Sequence, residues 1–192
     1  MFQHYLITRF NLKKEGWDTS KNNIPVLTEE WLERRFKLFE SFCFPSVKHQ
    51  SNQNFTWLVY FDVDTPKTFK DRILGLSLGY PKFQPRFVEN MQAFVPAIQE
   101  ELSKVTAEYL ITSRIDNDDC IAYNFIADIQ KRFVEKNHWA FDYADGFTLQ
   151  ISPKFRLGKK RQLWNPFISL IEKNEQPKSV WQKGHADWKL DP

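Results

Sequence analysis

Apolar residues fall into short blocks separated by polar stretches, and the spacing inside each block predicts an element. Tyr5-Leu6-Ile7 is an apolar run that ends at Thr8-Arg9-Phe10-Asn11, which predicts a first buried strand delivering its end to a functional edge. Residues 13 to 27 are polar, contain Gly16 and Pro25, and predict a loop. Thr28 suits a helix N-cap because Glu29 and Glu30 follow it in the first turn, where the helix dipole favours anions. Leu32, Phe36, Phe39, Cys43 and Val47 then recur at helical spacing, with Pro45 expected to bend or end the helix.

Residues 55–61, Phe-Thr-Trp-Leu-Val-Tyr-Phe, are β-formers throughout and lie between Asn52-Gln53-Asn54 and Asp62. A run without alternation predicts a strand covered on both faces, as in a parallel sheet. A loop over 62–66 and a short helix containing Arg72 come next, Pro81 and Pro85 break the chain, and Arg86-Phe87-Val88 suggests another strand. Phe94, Ile98, Leu102 and Val105 mark an amphipathic helix, and Tyr109-Leu110-Ile111-Thr112 a third good strand. Ala122, Phe125, Ile126, Ile129 and Phe133 mark a further helix, and Trp139-Ala140-Phe141 resumes β character. Beyond Gly146 the pattern is mixed, with residues 147–151 predicted as an antiparallel strand. The β–α–β–α rhythm of the first two-thirds implies right-handed crossovers and an α/β fold: a mainly parallel sheet flanked by helices, with a smaller mixed or antiparallel C-terminal part.

Composition adds three constraints. The 192 residues suit one domain, and aromatic side chains reach 16% of them, enough to fill a core with rings and to spare some as flat ligand platforms. A net charge of +3 gives no general grip on nucleic acid, and none is expected as a partner. Lys154, Arg156, Lys159, Lys160 and Arg161 nevertheless form a basic run with no acid among them: a solvated loop, or a clamp for phosphate or for an anionic membrane surface. Two cysteines, Cys43 and Cys120, make no disulfide framework, and the start MFQHYLITRF has no signal-peptide pattern, so the sequence predicts a cytoplasmic protein.

The stretch that carries chemistry is residues 109–119, in which a buried strand runs into Asp116-Asn117-Asp118-Asp119. Ligands in open α/β sheets bind beyond the carboxyl ends of strands. Carboxylates crowded there repel one another, and a divalent cation, Mn²⁺ or Mg²⁺, relieves that while needing only one or two protein carboxylates beside phosphates and water. Capping of the following helix by Asp118 or Asp119 is the other explanation. An EF-hand is excluded, since Ile121 stands where its loop requires Gly.

Six segments in order resemble the bacterial rhamnosyltransferase family, a branch of the GT-A glycosyltransferases. They are residues 4–11, 31–36, 39–46, 54–62, 114–119 and 165–172, together spanning most of the chain. The resemblance implies that residues 1–121 form a nucleotide-sugar-binding half and 122–192 an acceptor-side half of a single domain. It implies that Asp116 and Asp118 hold the metal as an Asp-x-Asp element, with Asp116 and Asn117 also at the nucleotide. His185 becomes the candidate for a remote third ligand. Thr8 and Arg9 would lie near the nucleotide, Asp62 would accept from the base or serve as a turn residue, and Arg114 would pair with diphosphate or with the adjacent carboxylates. The chain is short for such a transferase, which leaves room for a missing C-terminal portion of the acceptor site.

The function expected is metal-dependent transfer of a sugar, L-rhamnose by the family name, from a nucleoside-diphosphate sugar to a glycan or lipid-linked acceptor, with inversion. Inversion needs a general base near the acceptor hydroxyl, for which Glu172 is the first candidate and Asp145 the second. Trp164, Phe167 and Trp181 are candidate sugar platforms. Two other classes fit the carboxylates at a strand end: a nucleotidyltransferase or phosphohydrolase, and a non-catalytic sugar-nucleotide-binding domain.

Overall fold

Strand β2 (Thr56–Asp62) is buried along nearly its whole length, and its two faces belong to different cores. Trp57, Val59 and Phe61 face one apolar cluster and Leu58 and Tyr60 the other, as the two-residue period of a strand in a covered sheet requires. The structure, a computed structural model, describes residues 1–20, 23 and 25–190. Residues 21, 22 and 24 of the expected loop and residues 191–192 of the tail lie outside the described residues.

Around β2 is built a six-stranded sheet in the order β3-β2-β1-β4-β8-β5, with β1 spanning Phe2–Arg9, β3 Phe83–Val88, β4 Tyr109–Arg114, β5 Trp139–Phe141 and β8 Ser169–Lys173. The first four are parallel, and β8 is antiparallel to both β4 and β5. Strands β6 (Asp145–Gln150) and β7 (Arg156–Arg161) form a separate antiparallel hairpin. The mainly parallel α/β architecture with an antiparallel C-terminal part is therefore present, and strands from both expected halves of the domain share one sheet.

One core is dominated by rings. Phe36 of α1 (Glu29–Leu38) and Phe69 of α3 (Lys67–Gly79) stack 5.1 Å apart over the sheet, and Trp57 lies 5.3 Å from Phe83. Most of the aromatic content is spent there. The other core is covered by α4 (Met91–Ser103) and by C-terminal 3₁₀ turns that bring in Val180, Trp181 and Trp188. The Thr28 hydroxyl caps α1, accepting from the Trp31 amide at 3.2 Å. Pro45 does not stop the chain's helical course. A π-helical turn over Phe39–Cys43 precedes α2 (Phe44–Lys48), and Pro45 falls in the first turn of α2, where a missing N–H costs nothing.

Several boundaries differ from the sequence reading. Pro85 lies inside β3, paired with Val59, because β3 is an edge strand and one of its sides needs no amide donor. Helix α5 (Phe125–Lys131) is shorter than its apolar pattern, with Ala122 and Phe133 outside it. Part of the basic run, expected as a loop or clamp, is strand β7. Among the described residues no helix is long and apolar enough to cross a membrane.

Candidate active site

Strand β1 has β2 on one side and β4 on the other, so the connections leave in opposite directions and open a crevice at the carboxyl ends of β1 and β4. A cleft of about 310 Å³ occupies that position. Arg9, Phe10 and Leu12 line it from the end of β1, Trp31 and Arg35 from α1, Lys14 and Trp17 from the loop between them, Met91 from the start of α4, and Asp116, Asn117 and Asp118 from the acidic loop after β4.

The acidic loop is fastened on both sides. Asn117 is buried, and its Nδ2 donates to the carbonyls of Phe10 at 2.9 Å and Arg9 at 3.3 Å, which ties the loop to the end of β1. Its Oδ1 accepts from Arg35 Nη1 at 3.2 Å, and the same guanidinium is ion-paired with Asp118. Asp116 Oδ1 lies 3.5 Å from Arg114 Nη2, and the Asp119 amide donates back to the Asp116 carbonyl at 3.1 Å, closing a turn. Burial, reinforced by the neighbouring Asp116 and Asp118 charges, pushes the Asp119 carboxyl up to about 7, against the opposing pull of Lys160 and Arg114.

That surplus of negative charge is what a divalent cation relieves, and Asp116 and Asp118 both face the cleft. Two carboxylates suffice for Mg²⁺ or Mn²⁺ when phosphates and water complete the shell. Among the described residues no three His, Cys, Asp or Glu side chains gather as a metal cage, so the fit is to an ion shared with a ligand.

Cations and rings complete the site. The Arg114 guanidinium sits 3.8 Å from the Trp181 ring centroid and that of Arg9 at 5.5 Å, and Arg9 Nη1 also approaches Met91 Sδ at 3.5 Å. Burial lowers the pKa of both arginines, and Asp116 pulls each back up. Arg35 lies 5.2 Å from the Trp31 ring, which meets Trp17 edge-on at 6.2 Å. The cleft thus offers a two-tryptophan wall, three cations (Arg9, Lys14, Arg35) and two carboxylates.

Of the expected site residues, Arg9, Asp116, Asn117 and Asp118 come together in this cleft, with Arg114 beneath it. Thr8 does not line it: its side chain is buried, and Oγ1 accepts from Trp57 Nε1 at 3.0 Å. Asp62 is also buried and organises its turn, accepting from the amides of Asp64 at 2.9 Å and Lys13 at 3.1 Å. Glu172 is not brought to the acidic loop. It pairs with Leu110, towards the start of β4, and its carboxylate accepts from the Lys178 and Ser179 amides, each at 2.9 Å. Asp145 stands exposed on the hairpin, held by Arg161 at 3.0 Å. His185 Nδ1 lies 2.6 Å from the Trp164 carbonyl and lines no part of the cleft. Trp181 is buried, as its cation contacts require, and Phe167 packs against the ring-rich core.

The sequence reading gave no site role to Lys14, Trp17, Trp31 or Arg35. A tryptophan inside the polar 13–27 stretch was the available signal for Trp17, and Trp31 and Arg35 share one α1 face four residues apart.

The model of the family described as "Putative rhamnosyl transferase" matches residues 3–190. No curated protein matches the chain. Among solved structures, TarS 1–349 of S. aureus is similar at 12% identity and TM-score 0.48, covering 90% of this chain and 47% of its own. The same TarS fragment in complex with UDP gives 12% and 0.43, with 90% and 47% covered. HddC from Yersinia pseudotuberculosis gives 12% and 0.44, with 91% and 78% covered. The chain therefore spans about half the length of the TarS fragment that it matches.

Proposed function

Because the chain belongs to the rhamnosyl transferase family, we propose that it is a GT-A-type glycosyltransferase that binds a nucleoside-diphosphate sugar in the cleft between β1 and β4. The observation that carries this reading is the composition of that one cleft: an aromatic wall, cations and paired carboxylates at the topological switch point. Each part suits one part of the donor. Trp17 and Trp31 offer faces or edges to a base, Arg9, Lys14 and Arg35 meet the diphosphate, and Asp116 and Asp118 face the same space.

Asp116 and Asp118 would hold Mn²⁺ or Mg²⁺, which supplies countercharge to the diphosphate as it departs. Asn117 keeps those carboxylates at the end of β1 through its two backbone hydrogen bonds. Arg9 and Arg114, partly desolvated on Trp181, add positive charge that is already in place before the donor arrives. The sugar transferred is L-rhamnose, with inversion, onto a glycan or lipid-linked acceptor. Neither carboxylate considered as base lines the cleft: Glu172 lies towards the start of β4, and Asp145 is ion-paired with Arg161 on the side of the hairpin opposite Lys160.

The test is incubation of the chain with a panel of nucleoside-diphosphate sugars and Mn²⁺, followed by product analysis. Release of intact nucleoside diphosphate is expected. Cleavage within the diphosphate would instead mark a phosphohydrolase or nucleotidyltransferase, and saturable binding without cleavage a non-catalytic sugar-nucleotide-binding domain.

A further inference from the structure

The β6–β7 hairpin stands outside the main sheet and carries apolar side chains that nothing in the fold covers. In its antiparallel register Phe147 faces Lys159, Leu149 faces Leu157 and Asp145 faces Arg161, so these pairs share one side. Phe147 is 66% exposed, Leu157 70% and, at the turn, Phe155 74%. Two-stranded hairpins in water are marginal by themselves, and a cluster of bare apolar side chains on one adds a further cost. A surface that removes those side chains from water would stabilise the hairpin.

The charges around the patch say what kind of surface that is. Lys154, Arg156, Lys159, Lys160 and Arg161 lie in or beside the hairpin, and Asp145, paired with Arg161, is its one acid. Arg156 and Lys160 are set on the opposite side to Phe147 by the register, and Lys160 is near enough to the acidic loop to act on Asp119, so the cations on the patch's own side are Lys159 and Arg161, with Lys154 beside the turn. Apolar side chains ringed by cations match an acyl layer lying just beneath anionic headgroups. A second copy of the chain would set two such basic rims against each other and is disfavoured by that repulsion.

We propose that the β6–β7 hairpin docks the protein on an anionic lipid surface, with Phe147, Phe155 and Leu157 entering the headgroup layer and the surrounding lysines and arginines meeting lipid phosphates. The docking goes beyond the transferase reading and does not depend on it. If both hold, the hairpin would bring the acidic loop next to the bilayer, where a lipid-linked acceptor would be found.

The experiment is sedimentation of the whole chain with vesicles of phosphatidylcholine alone and of phosphatidylcholine mixed with phosphatidylserine, alongside light scattering of the protein in solution. Binding at least about tenfold tighter to the anionic vesicles is expected, weakening with added salt. Two variants are compared, Phe155→Ser/Leu157→Ser and Lys154→Glu/Lys159→Glu. All four residues are exposed, so the melting temperature should stay at the parent value while each pair loses at least about tenfold in vesicle binding. Equal binding to both vesicle types, or parent-like binding by either variant, overturns the proposal. So does a solution dimer that Phe155→Ser/Leu157→Ser converts to monomer. None of these outcomes bears on cleavage of sugar nucleotides, so the two readings fail separately.

Discussion

The Arg35 guanidinium is ion-paired with Asp118 and also donates to Asn117 Oδ1 at 3.2 Å, joining the first helix to the acidic loop. Asn117 in turn holds the end of β1, so α1, β1 and the loop are braced as one unit around the cleft. A nucleoside diphosphate entering there would compete with Asp118 for Arg35 just as a cation competes with Arg35 for Asp118. Arg35→Ala should therefore weaken sugar-nucleotide binding about tenfold, equivalent to about 1.4 kcal/mol. Arg35→Lys should restore only part of it: both loop contacts come from one nitrogen, Nη1, which an ammonium can imitate, but an ammonium lacks the planar fork that grips a phosphate through two parallel hydrogen bonds. Titration calorimetry checks both variants, and parent-like affinity in Arg35→Ala would remove the residue from the donor site.

Asp118 has a half-exposed carboxylate whose ion-pair partner is Arg35. Asp118→Ala should leave the melting temperature within a few degrees of the parent, as expected for loss of an exposed pair. It should cost about tenfold or more in Mn²⁺-dependent nucleotide binding. If affinity with Mn²⁺ is unchanged, Asp118 is not a ligand of the ion.

Trp17 and Trp31 form the aromatic wall, and Trp17 is 37% exposed. Base stacking on an aromatic side chain contributes roughly 1–3 kcal/mol, so Trp17→Ala or Trp31→Ala should weaken nucleotide binding by about fivefold or more. Quenching of tryptophan fluorescence by a nucleoside diphosphate should shrink in whichever variant removes the stacked ring. Unchanged quenching in both would place the base elsewhere.

How far the sequence reveals this molecule depends on whether a segment's surroundings leave a mark on its own residues. β2 and β4 are buried on both faces and so read as uninterrupted β-formers, and the acidic loop follows β4 directly. β7 is exposed, and its lysines and arginines hide a strand whose partner, β6, supplies most of the apolar pattern. The cleft wall is harder still, because Trp17, Arg35 and Met91 come from a loop and from the two ends of different helices, and only the tertiary fold assembles them. Glu172 is the most instructive case. The apolar run before it forms strand β8, but β8 runs antiparallel to β4, so its carboxyl end lies at the end of the sheet away from the acidic loop. Residue pattern fixes where a strand lies in the chain and says nothing of its direction in the sheet.

The Glu172 carboxylate is therefore expected to hold structure rather than take a proton. Burial raises its pKa, and the Lys178 and Ser179 amides oppose that rise. Glu172→Gln replaces one acceptor oxygen with a donor and leaves one of those amides unmatched, costing about 1–3 kcal/mol. The melting temperature should fall by roughly 2–10 °C. Transfer per folded molecule should stay near the parent rate. A loss of roughly 10²–10⁴-fold in turnover with unchanged melting would instead restore a general-base role.

His4 gives a prediction that is independent of any ligand. Its ring is buried in β1, with Nε2 2.9 Å from Ser113 Oγ and Nδ1 3.3 Å from Gln130 Nε2, while Ser113 Oγ lies 2.7 Å from Ser169 Oγ. The Gln130 Nε2 can only donate, its Oε1 being engaged by Asn52 Nδ2, so Nδ1 accepts and the Nε2 proton goes to Ser113, an arrangement made for a neutral ring. Burial accordingly lowers the His4 pKa from 6.5 to about 3. Above pH 6.5 the ring is neutral folded or unfolded. As the pH falls from 6.5 towards 3 the unfolded chain binds a proton that the folded one does not, so stability is lost across that window by up to about 1.4 kcal/mol per pH unit. Asp119 works in the opposite sense, since its raised pKa of about 7 makes the folded state bind the extra proton between 3.8 and 7. The parent's own profile mixes the two. Subtracting the profile of His4→Gln cancels Asp119, which both proteins carry, and isolates the histidine. Urea unfolding at intervals from pH 7.5 to pH 4.5 should show the parent's stability falling relative to His4→Gln once the pH drops below about 6.5. Parallel curves for the two proteins would mean that His4 accepts a proton inside the fold, and the hydrogen-bond chain through Ser113 would have to be reassigned.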